Sequence, residues 1–560
     1  MFIRVPKVLL IGLCAVMLTM APFKRVVSGQ ETTLGVPVSV DLTAEGLPIS
    51  PLIYGSNQDL PGVELYFRRL GGNRTTGYNW ETNASNAGHD WYHFSDNWLC
   101  SAVGATDEAC QQPAGVYTTF HDQSLAQDAE TMLTLQMAGY VSADFDQEVF
   151  ENETAPSARW NEVVTQKPGL IAAQPDLEDG VVYIDEFVHY LIAQYGLSPD
   201  DTGIMAYGLD NEPGLWTSTH PRIHPEHVGA EELIQRSVKT ALMVKDIDPD
   251  ALIFGPQLFG FSSYMKLNDA PDWGPLWLKG RYDWFIDYYL DQFSQIEDAE
   301  GRRILDALTL NYYSEARSTD NVRVVMGSEP PGSPEVQEAR VQAPRSLWDV
   351  SFREISWVQK NYGTFLPLLP KVKSSIETYY PGTKLAFTEW GFGGEGHISG
   401  GIAAADTLGI FGREGVWAST HWSTEEDKTY LAAAYNLYLN YDGQGGSFGD
   451  VSMPTTNLDY WNLAVHAAVD SQNEDRLHVI LINRNLYEAT EIDFSLQGEN
   501  GTNSAQVWGF DADSAEITQR DSIYVENGAF NYDIPPATVL HLVFSDEKVA
   551  KPTPKPTATT

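Results

Sequence analysis

Short apolar runs alternate with longer amphipathic stretches from about residue 52 to residue 422. Eight runs have the length and composition of buried strands, and they are residues 52–55, 65–70, 132–137, 204–209, 252–255, 305–310, 385–388 and 416–422. Amphipathic stretches with apolar residues at helical spacing, such as residues 182–195 and 231–245, separate several of them. Eight strands with intervening helices are what a closed barrel needs. The alternation therefore predicts an α/β fold with a (β/α)8 TIM-type barrel over residues 51–446.

A second, all-β domain follows the predicted barrel. Residues 477–482, 505–510 and 537–544 are strand-like runs separated by Gly, Asn and Asp turns, which predicts an additional β-sandwich over residues 447–546. Residues 36–42 are also β-like, so we expect residues 30–50 to join the sandwich from the amino-terminal side. A length of 560 residues suits one large and one smaller domain.

The two ends of the chain differ from its body. Residues 1–29 begin with a basic segment and continue with an apolar run, residues 8–23, that Lys24 and Arg25 close, as in a signal peptide. We therefore expect a secreted, extracellular protein, although an uncleaved anchor is the alternative. Residues 547–560 form a Pro/Thr-rich segment, which is either a linker to a further module or a natural tail.

The charge and the cysteines restrict the partners and the compartment. A formal net charge of −41 repels phosphate backbones and anionic lipids, so we expect a neutral substrate, no nucleic acid and no membrane contact after signal removal. We also expect a monomer. The acidity also fits a protein that is merely kept soluble. Cys14 lies in the predicted signal peptide. Cys100 and Cys110 predict a local disulfide, and two unpaired thiols are the alternative.

Two glutamates follow predicted barrel strands. Glu212 comes directly after the fourth strand, in an Asp-Asn-Glu-Pro string, and Glu389 comes directly after the seventh, in Thr-Glu-Trp. Because all strands of such a barrel are parallel, both side chains should emerge at its carboxyl-terminal face. A pair of carboxyls is what the hydrolysis of a glycosidic bond requires. The alternative is that both carboxylates are structural ion-pair partners.

Several strings around these glutamates resemble glycoside hydrolase family 44. They are RLGGNRTTGYNWE at 69–81, DWYH at 90–93, SDNW at 95–98, DNEP at 210–213, THPRIHP at 219–225 and TE at 388–389. The resemblance covers roughly residues 35–545 and implies secreted endoglucanases and xyloglucanases with a (β/α)8 barrel and a β-sandwich. It also implies that Glu212 is the acid/base and Glu389 the nucleophile of a retaining reaction, with carboxyls about 5–5.5 Å apart.

A neutral glucan needs aromatic rings for its sugar faces and polar groups for its hydroxyls. The residues that we predict to bind substrate are Asn211, Arg69, Asn73, Trp80, Trp216, Tyr312 and Trp422. The aromatic residues lie in or just after predicted strand ends, and core packing is the alternative for each. Arg69 and Asn73 are expected to support the site, and Arg69 to orient Glu389 or to pair with another acid.

No cofactor is expected to be required for catalysis. Asp144 and Asp146, with Glu148 nearby, form an acidic loop that predicts a possible structural calcium site, with a solvated loop as the alternative. His220, His224 and His227 have zinc-like spacing, but Pro221 and Pro225 favour ordinary loop packing.

The sequence therefore predicts a retaining endo-β-1,4-glucanase that hydrolyses cellulose-type β-glucans and xyloglucan. One alternative keeps the mechanism and changes the main substrate to xylan or mannan. The other alternative is a non-catalytic carbohydrate-binding protein.

Overall fold

A computed structural model describes residues 35–279, 281–325, 330–498, 501–547 and 549. The predicted signal peptide, residues 1–29, and almost all of the predicted tail, residues 547–560, lie outside the described residues. Within the described residues, no helix combines the length and the apolar character that crossing a membrane requires.

Eight parallel strands close a barrel, as the sequence predicts. Each strand pairs with the next along the chain, and the last pairs with the first. In chain order they are β1 (Gly55–Ser56), β2 (Phe67–Leu70), β3 (Glu130–Leu135), β4 (Ala206–Leu209), β5 (Leu252–Leu258), β6 (Ala307–Tyr313), β7 (Lys384–Gly391) and β8 (Ala418–His421).

The first strand is the one that the sequence placed least well. Pro51–Ile53 forms a 3₁₀ turn in which the Ser50 side chain accepts a hydrogen bond from the Leu52 backbone. Proline at the first position of this turn lacks the N–H that a strand ladder needs. The strand therefore begins at Gly55, three residues later than predicted, and covers only Gly55–Ser56.

Within the described residues, eight longer helices follow the strands. They are α1 (Gly115–Leu125), α2 (Ile184–Tyr195), α3 (Ala230–Ile247), α4 (Phe285–Glu300), α5 (Pro334–Gln342), α6 (Leu368–Tyr379), α7 (Ile398–Glu414) and α8 (Thr429–Leu439). The amphipathic stretches predicted at 182–195 and 231–245 are α2 and α3. In α2, Ile184, Phe187, Val188 and Leu191 are buried, which is the spacing of one helix face.

Shorter elements lie in the connections between these strands and helices. Two small sheets are formed by Ser85–Asn86, Phe94–Asp96 and Gln147–Glu148, and by Tyr140–Ser142, Trp160–Val164 and Val181–Tyr183. Short helices and 3₁₀ turns are Asn73–Thr76, Gly88–Trp91, Trp98–Ala102, Ala109–Gln111, Glu151–Glu153, Pro213–Leu215, Trp216–Thr219, Phe261–Lys266, Trp273–Leu278, Ala343–Leu347, Trp357–Tyr362 and Gly363–Phe365. A disulfide joins Cys100 to Cys110 beside α1, as predicted.

The all-β part consists of two sheets. One has seven strands, in the order Leu47–Pro48, Val451–Met453, Leu463–Asp470, Asn473–Asn483, Thr538–Ser545, Ser504–Asp511 and Ser514–Tyr524. The other has four strands, in the order Thr455–Asn457, Val36–Asp41, Thr490–Gln497 and Ala529–Ile534. The early strand Val36–Asp41 thus lies in this sandwich, beside Thr490–Gln497.

Strand Asn473–Asn483 has two buried faces. Leu477, Val479 and Leu481 pack into the core between the two sheets, whereas Ile480 and Ile482 join the large core that surrounds the barrel. Burial on both sides explains why residues 479–482 of this strand are all apolar instead of alternating with polar residues. The seven-stranded sheet therefore fastens the sandwich to the helices of the barrel.

Candidate active site

Glu212 lies in a strained turn directly after β4. Both Asp210 and Glu212 have positive φ angles, 59° and 45°, which non-glycine residues rarely adopt. The buried Asp210 carboxylate holds the turn, because it accepts hydrogen bonds from Thr76 Oγ1 at 2.6 Å and from the backbone amides of Met137 and Asn211. These bonds maintain an otherwise unfavourable backbone conformation that projects Glu212 at the barrel's carboxyl-terminal face.

Glu389 is aimed by an irregularity in β7. Along β6 and β7, Leu310 is paired with Phe387 but Asn311 is paired with Glu389, so Thr388 is an extra residue. A bulge of this kind makes two successive side chains face the same side. Thr388 Oγ1 accordingly donates to Asn311 Oδ1 at 2.8 Å, and Glu389 points to the same interior.

Arg69, at the end of β2, holds Glu389 in place. Its fully buried guanidinium donates to Glu389 Oε1 at 2.9 Å and to the side-chain oxygens of Asn57, Asn211 and Gln257. A planar fork with several donors suits such a cluster better than an ammonium group does. The contact expected between Arg69 and Glu389 is present, and it provides a counter-charge for a carboxylate that is only 5% exposed.

Asn211 is oriented by two donors. Its Oδ1 accepts from Arg69 at 2.7 Å and from the Gly72 backbone amide at 3.2 Å, so the amide nitrogen Nδ2 must face the other way. Among the described residues, no hydrogen-bond acceptor is recorded for this nitrogen. The residue before Glu212 therefore presents a donor that is free for a substrate hydroxyl.

The two glutamates have different electrostatic surroundings. Burial is the main cause that raises the pKa of Glu212 well above its usual range, and the nearby charge of Glu389 is the second. A hydrogen bond of 2.8 Å from Asn311 Nδ2 to Glu212 Oε1 opposes the increase. Glu389 instead accepts from Arg69 and, through Oε2, from the phenol of Tyr313 at 2.8 Å. Glu212 is thus the carboxyl that keeps its proton, and Glu389 is the one surrounded by donors.

Tyr313, rather than Tyr312, is the aromatic residue of β6 that reaches the site. Tyr312 is 5% exposed and packs against Phe387 and Phe392 on the helix side of the strand. Successive side chains of a strand face opposite sides, so Asn311 and Tyr313 point inward and Tyr312 points outward. The prediction of Tyr312 as a sugar platform is therefore corrected, and the alternation along β6 is the signal that could have identified Tyr313.

Two predicted tryptophan platforms are also corrected. Trp80 and Trp216 have no exposed surface. The Trp80 ring stacks on Phe187 of α2, and the Trp216 ring packs beside His224. Both residues come from loops that fold back onto the helices, so neither ring can meet a sugar face.

Trp422, just after β8, stays a candidate platform. It is partly exposed, and its ring lies directly against the backbone of Gly72. A Cβ atom at position 72 would come within 2.4 Å of the ring, and Gly72 also has a φ of +89°. Glycine at this position therefore lets the indole lie close to the ends of β2 and β8.

Exposed aromatic side chains of one loop were missed by the sequence analysis. Trp91 and Tyr92 are 57% and 65% exposed, and their rings lie edge to face at 5.2 Å. Asn73, which we predicted to support the site, donates from Nδ2 to Asp90 Oδ2 at 2.8 Å and so fixes this loop. The charge of Asp90 is also felt by Glu212, which places the loop near this carboxyl. Solvent exposure, which the residue types do not disclose, is what distinguishes these rings.

Of the two predicted calcium ligands, one is engaged in an ion pair and the other is exposed. Both carboxylate oxygens of Asp144 accept hydrogen bonds from the Arg159 guanidinium, at 2.7 and 3.1 Å, while Asp146 is exposed. A cation would have to displace that guanidinium. His224 is likewise engaged, with Nε2 3.1 Å from a carboxylate oxygen of Glu232. In the part of the chain that the structure describes, no three His, Cys, Asp or Glu side chains are grouped closely enough to hold a metal.

Comparison with known proteins gives concordant matches. The sequence model of glycoside hydrolase family 44 matches residues 84–316. Endoglucanase A of Paenibacillus lautus is 49% identical over 510 residues, which are 91% of this chain and 72% of that protein. The β-mannanase/endoglucanase A of Caldicellulosiruptor saccharolyticus is 46% identical over 511 residues, 89% of this chain but only 38% of that protein. The structure of a Paenibacillus polymyxa family 44 xyloglucanase with xyloglucan superposes with a TM-score of 0.88 at 47% identity, covering 91% of this chain and 99% of that one.

Proposed function

The chain belongs to glycoside hydrolase family 44, and we propose that it is a retaining endo-β-1,4-glucanase that acts on cellulose-type β-glucans and xyloglucan. One observation carries the proposal. Glu212 follows β4 and Glu389 lies near the carboxyl-terminal end of β7, at the same end of the barrel, and their surroundings favour a protonated Glu212 beside a Glu389 that is bound by the donors of Arg69 and Tyr313. Carboxyls in these two states are what double displacement requires.

Glu212 is the proposed acid/base. Its Oε1 is the acceptor of the Asn311 amide, so the proton of the neutral acid resides on Oε2, which has no recorded partner among the described residues. In the first step this proton passes to the glycosidic oxygen as the bond to the anomeric carbon breaks. The raised pKa of Glu212 supports this role, because a carboxyl with an ordinary pKa would already be ionised near neutral pH.

Glu389 is the proposed nucleophile. A carboxylate oxygen attacks the anomeric carbon from the opposite face, forming a covalent glycosyl-enzyme while the leaving chain departs with the proton of Glu212. Arg69 and Tyr313 hold the attacking group in one orientation. In the second step the ionised Glu212 removes a proton from water, the resulting oxygen attacks the anomeric carbon, and Glu389 is released. The two carboxyls supply both the proton and the nucleophile, so the proposed reaction uses no cofactor.

A neutral glucan is the proposed substrate. Trp422, Trp91 and Tyr92 offer aromatic faces around the mouth of the barrel, and Asn211 offers an amide donor beside Glu212. These groups suit sugar rings and hydroxyls. The printed activities of the relatives, endoglucanase, xyloglucanase and β-mannanase, define which polymers to compare. Secretion, action as a monomer and a calcium-bound form are further proposals that rest on the sequence.

Reducing-sugar release from a panel of soluble polymers tests the proposal. We expect turnover of carboxymethylcellulose and xyloglucan to exceed that of lichenan, xylan and mannan. Turnover mainly on xylan or mannan would replace the substrate, and binding without release would indicate a non-catalytic carbohydrate-binding protein. Proton NMR of the first products should show the β-anomer, because double displacement retains configuration. An initial α-anomer would refute the retaining mechanism.

A further inference from the structure

Asn57 lies directly after β1, and its side-chain amide joins four strands of the barrel. Its Oδ1 accepts from Arg69 Nη1 at 2.8 Å, and its Nδ2 donates to the carbonyls of Thr388 at 3.0 Å and His421 at 3.1 Å. A guanidinium can only donate and a carbonyl can only accept, so this orientation of the amide satisfies every partner. One side chain thus connects the carboxyl-terminal ends of β1, β2, β7 and β8.

The Thr388 carbonyl lies at the irregularity that aims Glu389. Along β7 and β8, two successive residues, Thr388 and Glu389, face Thr420 alone, so the regular ladder is interrupted there. The carbonyl accepts hydrogen bonds from three side chains, which are Thr420 Oγ1 at 2.6 Å, Asn57 Nδ2 at 3.0 Å and Arg69 Nη1 at 3.3 Å. Thr388 is buried, and buried backbone carbonyls require such partners. These donors therefore stabilise the backbone conformation from which Glu389 projects.

The Arg69 guanidinium has as many terminal N–H groups as side-chain acceptors. Nη1 donates to Glu389 Oε1 at 2.9 Å and to Asn57 Oδ1 at 2.8 Å, while Nη2 donates to Asn211 and Gln257. Nε has no recorded partner among the described residues, so the terminal nitrogens alone hold the group. Without the Asn57 oxygen, the nitrogen that binds Glu389 loses the side-chain acceptor of its other N–H.

We propose that Asn57 is a positioning residue for the proposed nucleophile. It holds the Thr388 carbonyl with one end of its amide and the Arg69 fork with the other, and both lead to the attacking oxygen of Glu389. Both ends of the amide are engaged within the protein, so Asn57 acts through these neighbours and not on the sugar. Among the described residues it has no recorded hydrogen bond to Glu212, so the effect falls on the nucleophile and not on the acid. The inference rests on the proposed function, because it requires Glu389 to attack.

Trapping of the glycosyl-enzyme measures the attack directly. The probe is 2,4-dinitrophenyl 2-deoxy-2-fluoro-β-cellobioside, whose leaving group departs without a proton from Glu212 and whose fluorine slows hydrolysis of the trapped intermediate. Asn57→Leu should lower the rate constant of inactivation about 10- to 100-fold, because the attacking oxygen is no longer held in one place. The dissociation constant of the probe should change by less than about twofold, because no sugar-binding group is altered.

Two further variants separate positioning from stability. Asn57→Asp keeps an oxygen for Arg69 but cannot donate to the carbonyls, so its trapping rate should also fall several-fold, and it serves where leucine prevents folding. Asn483→Leu is the matched control, because Asn483 Nδ2 in the sandwich likewise donates to three backbone carbonyls. This control should lower the thermal midpoint and leave the trapping rate unchanged. A native trapping rate in either Asn57 variant is the behaviour of a merely structural residue and overturns the inference.

Two comparisons keep this inference apart from the proposed function. Peptide mapping of the trapped wild type should find the fluorosugar on Glu389, and a label elsewhere, or none, refutes the proposed function itself. A label on Glu389 that forms at the native rate in the Asn57 variants overturns the positioning role alone. A defect that appears with soluble glucan but not with the fluorinated probe would assign Asn57 to the acid Glu212, and this outcome also overturns the inference.

Discussion

Replacing Asn311 by leucine should move the alkaline limb of the pH–rate profile to higher pH. In the native chain, Asn311 Nδ2 donates to Glu212 Oε1 at 2.8 Å, and Thr388 Oγ1 donates to Asn311 Oδ1, which fixes the orientation of the amide. A donor stabilises the ionised carboxylate, so this bond lowers the pKa of Glu212, whereas burial and the charge of Glu389 raise it. Leucine keeps the branching of the side chain and removes this lowering contribution, together with the hydrogen bond from Thr388.

The size of the change follows from the lost bond. A hydrogen bond to a charged group contributes about 1.5–3 kcal/mol, and one pKa unit corresponds to about 1.4 kcal/mol. Glu212 retains some exposure, so we expect the low end, an upward shift of about one pH unit. Glu212 stays protonated to higher pH, and the limb on which activity is lost moves upward accordingly. The rate at the optimum should also fall about tenfold, because the carboxyl loses the contact that directs it.

The assay is kcat/KM for a soluble glucan from pH 5 to pH 10, since this parameter reports the free enzyme's titrating groups. Thr134→Val is a matched control. Thr134 is also buried in the barrel and loses one hydrogen bond, to the Leu70 carbonyl, but it touches neither glutamate. An alkaline limb that stays in place or moves to lower pH in Asn311→Leu would refute the assignment of that limb to Glu212.

Three further predictions concern activity and stability. Glu212→Gln should lower turnover by at least a thousandfold. It should also raise the free energy of unfolding, measured in urea, at pH 9 but not at pH 4. The raised folded pKa of Glu212 means that the wild type loses stability as pH rises through that pKa, and glutamine, which does not ionise, avoids this loss. Equal effects at both pH values would contradict this reasoning. Trp91→Ala should raise KM for glucan several-fold with kcat nearly unchanged, and an unchanged KM would remove Trp91 from the substrate surface. Replacing Cys100 and Cys110 by serine should lower the free energy of unfolding by about 2–3 kcal/mol, which is measurable as a lower thermal midpoint. A reducing agent should lower the midpoint of the wild type by the same amount and leave that of the variant unchanged.

The sequence predicted the scaffold better than the surfaces. Apolar runs located seven of the eight barrel strands, because a strand buried on both faces is apolar along its length, whereas the first strand is the short polar pair Gly55–Ser56. Position at a strand end then selected Glu212 and Glu389. The platforms were harder, because a tryptophan in a loop has the same composition whether the loop folds back, as at Trp80, or projects, as at Trp91. That difference depends on tertiary packing, which local patterns do not encode.

The bulge at Thr388 explains how one neighbouring strand controls both glutamates. Without the extra residue, strict alternation would turn Glu389 toward the helices, where Phe387 now packs. With the extra residue, Thr388 and Glu389 both face the inward-pointing side chains of β6, which are Asn311 and Tyr313. Asn311 hydrogen-bonds to Thr388 and to Glu212, and Tyr313 hydrogen-bonds to Glu389. A shift of β6 by one residue would replace both contacts at once, so the register of β6 against β7 sets the protonation of Glu212 and the orientation of Glu389 together.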